Sequence, residues 1–173
     1  MYPLFSFIIK LQSRGPVIYK QIREGKDGVH FPCFKFRTMH LNEESDYSWT
    51  KVNDPRVTKF GVFLRRTSLD EFPQFLNVFL GQMSIVGPRP HPIKLNDLYR
   101  DRVEKFYLRH ETRPGVTGLS QMKGYRGSIT QYHQINSRVK LDRFYIKKWT
   151  FLFDLKIIAL TIPATIHWGL SSK

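Results

Sequence analysis

The sequence predicts a mixed α/β fold, a helix-rich single domain that contains a few short strands. Its 173 residues are enough for one domain with a real core. Two short strand-like runs, residues 17–21 and 31–36, flank a loop at 24–28 that is rich in glycine and charge. Three longer stretches, 72–80, 94–109 and 131–170, carry apolar residues at roughly helical spacing.

The first eleven residues are apolar apart from Ser6 and Lys10. They are too few to span a bilayer. The segment suits equally a helix that dips into a membrane and a core helix that ends near Gly15-Pro16, where the chain has turn chemistry.

The second strand-like run places two basic residues in alternation with aromatic ones. Lys35 and Arg37 alternate with Phe34 and Phe36, so both basic groups are expected on one face. A solvated strand face is the commoner fate of such residues. Residues 41–49 are polar and acidic without a clear period and predict a mobile loop, and residues 53–56 have turn chemistry.

Residues 64–79 are the most informative stretch, because an Asp70-Glu71 pair directly precedes an apolar helical run. The apolar spacing predicts one buried helix face, with Gly81 as the stop. The residues of that face are Phe72, Leu76, Phe79 and Leu80.

The start of this helix has two interpretations. Ser68 and Glu71 fit a capping box, but Pro73 would then lie inside the helix, where proline is unfavourable. If Pro73 is instead the first helical residue, the carboxylates lie in the turn just before it. Either way they lie at the positive end of the helix dipole. Taken alone, simple capping by Asp70 and Glu71 is the more common explanation.

The second half of the chain offers a rigidly held arginine and a glycine-punctuated loop. Pro88 and Pro90 restrict the backbone around Arg89, which suits an arginine that presents its planar fork to a phosphate, a carboxylate or a salt-bridge partner. Residues 94–109 predict an amphipathic surface helix. The glycines at 113–118 and 124–127 permit close approach to an anion, and Arg126 adds charge. Residues 131–170 predict one or two helices interrupted near Pro163.

Composition narrows the classes of function. Lys and Arg number 28 against 14 Asp and Glu, a net charge of +14 that points to nucleic acid, an anionic membrane face or phosphorylated substrates. The single cysteine, Cys33, excludes an intramolecular disulfide and a CxxC metal site. No HExxH, P-loop, dinucleotide or G-x-S-x-G motif occurs.

Several motifs together closely resemble the bacterial sugar transferase family, the monotopic phosphoglycosyl transferases that start surface-glycan assembly. The motifs that carry the resemblance are residues 36–39, 53–58, 64–78, 81–90 and 114–121. Residues 124–127, 145–146 and 152–156 look more like the branch that acts on hexose-1-phosphates in exopolysaccharide or capsule initiation. The resemblance runs from Gly15 to about Ile162.

The resemblance implies a reaction and a site. A hexose-1-phosphate would move from a UDP-sugar to undecaprenyl phosphate and UMP would leave, with Mg²⁺ and a covalent phosphosugar-enzyme intermediate. Asp70 matches the family nucleophile and Glu71 its acidic partner, and both are expected to bind the metal. A carboxylate can attack phosphorus, which agrees with this assignment. The substrate phosphates would be bound by Lys35, Arg65, Arg89 and Arg126, and these are expected to converge on Asp70.

The resemblance also implies a location on the cytoplasmic face of the bacterial inner membrane. Family members carry a re-entrant membrane helix broken by a Ser-Pro pair, and Tyr2-Pro3 lies near that position. We therefore expect residues 1–14 to be a shortened remnant of the membrane-inserting helix and residues 15–173 to be the catalytic domain. Inner-membrane lipid is an expected partner, nucleic acid is not, and a homodimer stays open.

Two rival interpretations remain at this level. One is a basic nucleic-acid-binding domain, which lacks a recognisable reading motif and leaves the Asp70-Glu71 pair unexplained. The other is an inactive, truncated family member that docks on a membrane or on a biosynthetic complex.

Overall fold

A computed structural model describes residues 2–41, 54–127 and 131–171, with side chains through residue 165. Helices alternate with short strands in one small α/β domain, as predicted. The α-helices are α1 (Tyr2–Gln12), α2 (Lys59–Thr67), α3 (Gln74–Phe79), α4 (Ile93–Tyr99), α5 (Leu119–Met122), α6 (Tyr132–Lys147) and α7 (Phe151–Ser171). The strands are β1 (Ile18–Glu24), β2 (His30–Phe36), β3 (Ser84–Val86) and β4 (Gly115–Thr117), and 3₁₀ turns cover Lys26–Gly28, Leu69–Glu71 and Phe106–His110.

The predicted hairpin is confirmed. β1 and β2 pair in antiparallel register around the 3₁₀ turn, with Ile18 opposite Phe36 and Tyr19 opposite Lys35. The two basic residues of this region then diverge in role. Lys35 lies in the strand, whereas Arg37 follows it and donates to the carbonyls of Ser13 (2.7 Å) and Arg14 (2.8 Å), which anchors the chain just after α1.

A second, parallel pair joins β3 to β4 and brings two predicted loops together. The backbones approach so closely that a Cβ on Gly115 would lie 2.1 Å from the nitrogen of Gly87. Only glycine fits there. The glycine-punctuated loop therefore packs against the segment that carries Arg89.

The apolar first segment forms α1, which packs on the domain. Phe5 and Ile9 are buried with Phe36 and Leu64, while other α1 side chains stay exposed. The exposed side chains are Tyr2, Leu4, Phe7 and Leu11. In the parts of the chain that the structure describes, no helix is both long and apolar enough to cross a membrane.

The predicted buried face of α3 is wrong. Phe79 is 86% exposed and Leu76 is 52% exposed. The polar residues Gln74 and Asn77 are buried instead. The Asn77 amide donates to the Pro32 carbonyl (2.7 Å) and its oxygen accepts from the Phe34 N–H (3.0 Å), so α3 is fixed to β2 by hydrogen bonds. Gly81, with φ of 73°, follows the helix as expected.

Two further helix predictions need correction. The stretch 94–109 is not one amphipathic helix, because α4 ends at Tyr99 and a separate 3₁₀ turn follows. The C-terminal stretch does form two helices, but the break lies at residues 148–150 and Pro163 lies inside α7. The predicted loop at 41–49 lies almost wholly outside the described residues.

Candidate active site

The Asp70-Glu71 pair lies in a tight turn between α2 and α3. Ser68 ends α2 in the left-handed conformation (φ 62°), Leu69–Glu71 form one 3₁₀ turn, and Pro73 is the N-cap of α3. The Ser68 side chain caps neither element, so the capping-box interpretation is wrong. The alternative, with the carboxylates just before a helix at Pro73, is correct to within one residue.

Glu71 is held by three cations from three different elements. Its Oε1 accepts from Lys35 Nζ of β2 (2.7 Å) and from Arg89 Nη2 of the loop after β3 (2.7 Å). Its Oε2 accepts from Arg89 Nη1 (3.3 Å) and from Arg126 Nη2 of the turn after α5 (3.3 Å). These four contacts match the roughly four acceptor positions of a carboxylate.

The two adjacent carboxyl groups have opposite electrostatics. Burial alone would raise the pKa of Glu71, but the charges of Arg89 and Lys35 outweigh it and hold that pKa well below its usual range. Burial raises the pKa of Asp70, and Lys35 offsets only part of this effect. The Asp70 carboxylate has no hydrogen bond or ion pair with any described residue. It is therefore the open carboxylate of the pair.

Arg65 takes a different position from the other three predicted basic residues. Its Nε donates to Thr38 Oγ1 (2.8 Å), and its charge acts on Asp70 across space. The four predicted phosphate ligands thus gather around the acidic pair. Lys35, Arg89 and Arg126 bond to Glu71 rather than to Asp70, and Arg65 lies on the Asp70 side.

A metal ion fits this pair through one carboxylate. No group of three or more His, Cys, Asp or Glu side chains is arranged to hold a metal within the described segments. Asp70 is open to a cation, whereas Glu71 would have to give up an existing pairing. Mg²⁺ commonly binds to one or two carboxylates together with substrate phosphates, and this donor set suits that mode.

A mostly apolar cleft of about 150 Å³ opens beside Glu71 and Arg126. Arg126 is also held by the Thr165 hydroxyl of α7 (3.2 Å), so one guanidinium joins the acidic pair to that helix. The apolar lining includes Leu69, Phe72, Phe75, Val116, Met122 and Ala164. Phe72 and Phe75 are half exposed and connect the cleft to the exposed face of α3.

Sequence reasoning missed a buried polar cluster behind Arg89. Arg109, Arg138 and Asp142 lie in stretches that show only ordinary surface-helix charge patterns, so the sequence carries no signal for their burial. His91 carries a weak signal, because it directly follows the Pro88-to-Pro90 motif.

The family model described as bacterial sugar transferase matches residues 1–168. The chain belongs to the bacterial sugar transferase family. This membership fits the geometry, since the motifs that identify the family also supply Asp70, Glu71 and Arg89 to one site.

Three relatives show how much of this chain, and how much of each relative, the similarity covers. The chain is 49% identical over 155 residues to a UDP-glucose:undecaprenyl-phosphate glucose-1-phosphate transferase of Escherichia coli K12. The aligned region covers 89% of this chain and 33% of that protein. It is 42% identical over 164 residues to a Caulobacter vibrioides protein of the same name, covering 94% and 61%. It is 41% identical over 169 residues to the exopolysaccharide production protein PSS of Rhizobium leguminosarum bv. phaseoli, covering 95% and 84%. The chain therefore spans about a third of the length of the E. coli relative.

Proposed function

We propose that this sugar transferase moves glucose-1-phosphate, or a related hexose-1-phosphate, from a UDP-sugar to undecaprenyl phosphate. The observation that carries the proposal is an open Asp70 carboxylate directly beside Glu71, which three cations hold in place. The names of the E. coli and Caulobacter relatives support the two substrates. The product would begin the assembly of a surface polysaccharide.

The proposed reaction takes the steps that the family resemblance implies and assigns the nucleophile to the carboxylate that is unpaired among the described residues. An Asp70 oxygen attacks the β-phosphorus of the UDP-sugar, the bond to the bridging oxygen breaks, and UMP leaves with that oxygen. This forms an acyl phosphate between Asp70 and the hexose phosphate. A phosphate oxygen of undecaprenyl phosphate then attacks the same phosphorus and returns the electron pair to Asp70, which gives undecaprenyl diphosphate-hexose.

The basic residues supply the charge balance for these steps. Lys35, Arg89 and Arg126 bear more positive charge than Glu71 neutralises, so the surplus is available to the incoming diphosphate. Arg65 lies on the Asp70 side and adds positive charge for the incoming diphosphate there. When bound at Asp70 together with the diphosphate, Mg²⁺ would neutralise charge that develops on the phosphate oxygens.

Exposed apolar side chains support seating on a membrane surface, and the family resemblance implies that this surface is the cytoplasmic face of the bacterial inner membrane. They occur on α1, α2, α3 and α7, and α2 contacts both α1 and α7. The most exposed apolar side chain described on each helix is, in that order, Leu11, Phe63, Phe79 and Leu152. Together with the net charge of +14, this surface suits monotopic seating on anionic lipid, with residues 1–14 as the membrane-inserting part of a re-entrant helix.

The lipid substrate would reach the site from that surface. The apolar cleft begins at the Arg126 guanidinium and is continuous with the exposed side chains of α3. A polyprenyl phosphate would place its phosphate at the cations and its first isoprene units in the cleft.

Turnover with a panel of UDP-sugars tests the proposal. The assay measures UMP release in detergent with undecaprenyl phosphate and Mg²⁺, for the wild type, Asp70→Asn and the control Asp97→Asn. Asp97 is an exposed residue of α4 outside the site. We expect lipid-dependent UMP release with UDP-glucose or a related UDP-hexose that Asp70→Asn abolishes and Asp97→Asn keeps. Turnover that survives in Asp70→Asn, or silence of the wild type with every sugar, would contradict the proposal.

A further inference from the structure

The segment that presents Arg89 is held by one backbone hydrogen bond from β4 and by arginine side chains, without a regular strand ladder of its own. Pro88 and Pro90 have no N–H to donate, so regular pairing cannot fix the segment. Its carbonyls are satisfied from outside: Gly115 N–H donates to Pro88 (2.9 Å) and Arg23 donates to Pro90. The Arg89 carbonyl itself accepts from Arg109 Nη2 at 2.6 Å.

Arg109 joins this segment to helix α6. Its guanidinium is almost completely buried, and the same Nη2 donates to Asp142 of α6 at 2.8 Å. Its Nη1 bonds to the ring of His91. The Arg109 guanidinium therefore connects three groups. They are the Asp142 carboxylate of α6, the Arg89 carbonyl just before Pro90 and the His91 ring just after it.

His91 completes the arrangement as an acceptor. Burial, followed by the charges of Arg109 and Arg138, holds the pKa of His91 well below its usual range, so the ring is neutral. Arg138 of α6 also approaches this ring (3.3 Å) and donates to the carbonyl of Gly127 (2.9 Å), next to Arg126. Residues 138 and 142 are one turn apart on the same face of α6. That face thus lies behind Arg89 and Arg126, the two arginines that bond to Glu71.

We propose that Arg109, oriented by Asp142, is a positioning residue that sets the Arg89 guanidinium on Glu71 for the incoming diphosphate. The inference rests on the proposed function in one respect, that Arg89 acts on a nucleoside diphosphate. Arg109 itself touches neither Glu71 nor Asp70 among the contacts of the described residues.

A purely structural ion pair is the competing explanation. Removal of one partner of a buried pair destabilises a protein strongly, so alanine variants would not separate the two explanations. Arg109→Lys keeps the charge and can still reach Asp142. It cannot reproduce the planar fork that bonds the Arg89 carbonyl and His91 together.

A double-mutant cycle separates the explanations. The turnover number for UMP release is measured for the wild type, Arg109→Lys, Arg89→Lys and the double variant, with circular dichroism melting of each. We expect Arg109→Lys to lower kcat about tenfold in the wild type and less than about threefold in the Arg89→Lys background, because a residue that acts through Arg89 has nothing to position there. Equal losses in both backgrounds would overturn the proposal.

A matched control and a second variant complete the test. Arg100→Lys alters another arginine that pairs with a largely buried carboxylate, Glu24, away from the acidic pair, and should leave kcat within about twofold of the wild type. If Arg109→Lys does not fold, Asp142→Asn takes its place in the same cycle, because it removes the charge that orients Arg109.

The same double-mutant cycle can be measured on the affinity for UDP, which does not require turnover. Calorimetry of UDP with Mg²⁺ should show Arg109→Lys weakening the affinity in the wild type but not in the Arg89→Lys background. If Arg109→Lys weakens UDP binding only in the wild-type background and no UMP release is detected, the result would contradict the proposed reaction and support the positioning role. Additive losses, or no UDP binding by the wild type, would overturn the positioning role as well.

Discussion

Two neighbouring carboxylates have opposite electrostatics because their surroundings differ. Glu71 is saturated by Lys35, Arg89 and Arg126, which keeps it ionised and fixed. Asp70 is partly buried and unpaired among the described residues, so its ionised form is stabilised only at a distance. An ionised carboxylate without hydrogen-bond partners is a better nucleophile than one whose lone pairs are occupied.

Removal of Lys35 is predicted to move the acid limb of the pH–rate profile. In the proposed reaction Asp70 must be ionised to attack, so activity should fall as pH drops through its pKa, which burial already raises. Lys35 lowers that pKa, and Lys35→Met should therefore shift the limb to higher pH, whatever the change in maximal rate. The profile of kcat against pH measures this shift. The control is Lys20→Met on β1, and an unmoved limb in Lys35→Met would contradict the prediction.

At the residue scale, the sequence could predict which side chains come together only where a motif carries the residue. Asp70, Glu71 and Arg89 stand in dense motifs, and they meet in the fold. Arg109 and Asp142 could not be assigned, because a buried arginine and an exposed one look alike in a charged stretch. Their burial depends on the carbonyls that the Pro88-to-Pro90 backbone leaves for others to satisfy.

At the scale of elements, α3 shows how an amphipathic pattern can be correct and still misassigned. The apolar stripe exists, but it faces outward, and the polar stripe with Asn77 faces β2. Periodicity identifies a helix with two faces and does not say which face meets the protein. The strands were easier to predict, because the hairpin is local and its turn residues are distinctive.

Asn77 is predicted to matter more for stability than its apolar neighbour Leu76. Asn77→Ala leaves the Phe34 N–H and the Pro32 carbonyl without their partner, which should cost about 2–3 kcal/mol of unfolding free energy. Leu76→Ala, at a half-exposed position, should stay within about 0.5 kcal/mol of the wild type. Urea denaturation measures both, and the reverse order would show that the apolar face of α3 is the buried one.

The exposed face of α3 is predicted to bind membranes. Phe79→Asp should weaken binding to vesicles that contain phosphatidylglycerol by about tenfold, because an exposed phenyl ring that would enter the lipid is replaced by a charge. Val29→Asp adds the same charge at an exposed position of the hairpin and should have little effect. Vesicle sedimentation measures both variants, and equal losses would mean that net charge alone governs the binding.

At the scale of the whole molecule, two histidines with lowered pKa values, His91 and His110, make the fold sensitive to acid. Burial and the charge of Arg109 lower the pKa of His110 to about 4. Glu24 opposes this effect and Arg100 adds to it. The unfolded chain takes up this proton near pH 6.5, so the stabilisation is complete above that pH and is lost as pH falls toward 4.

We therefore predict lower stability at pH 5 than at pH 7. Urea denaturation at the two values should show a contribution from His110 of roughly 1 kcal/mol after allowance for solvent screening. His110→Gln should reduce the pH dependence, and His91 should maintain part of it, because its pKa is also held low. A pH dependence identical in the variant and the wild type would exclude His110 as a source.

The single α/β domain was predictable as a whole, because length, strand-like runs and helical periods all agree with it. The parallel pairing of β3 with β4 was not, since it joins segments about thirty residues apart through the close approach of Gly87 and Gly115. Such long-range contacts depend on packing that no local pattern encodes.

The central claim is that Asp70 is the nucleophile, and mass spectrometry of the digested protein tests it most directly. The protein is mixed with UDP-glucose and Mg²⁺ without lipid, quenched in acid and digested. We predict a mass increase of one hexose phosphate on the peptide that contains Asp70, one UMP released per protein molecule, and neither in Asp70→Asn. UMP release that requires undecaprenyl phosphate and leaves no adduct, or an adduct on another residue, would contradict the claim.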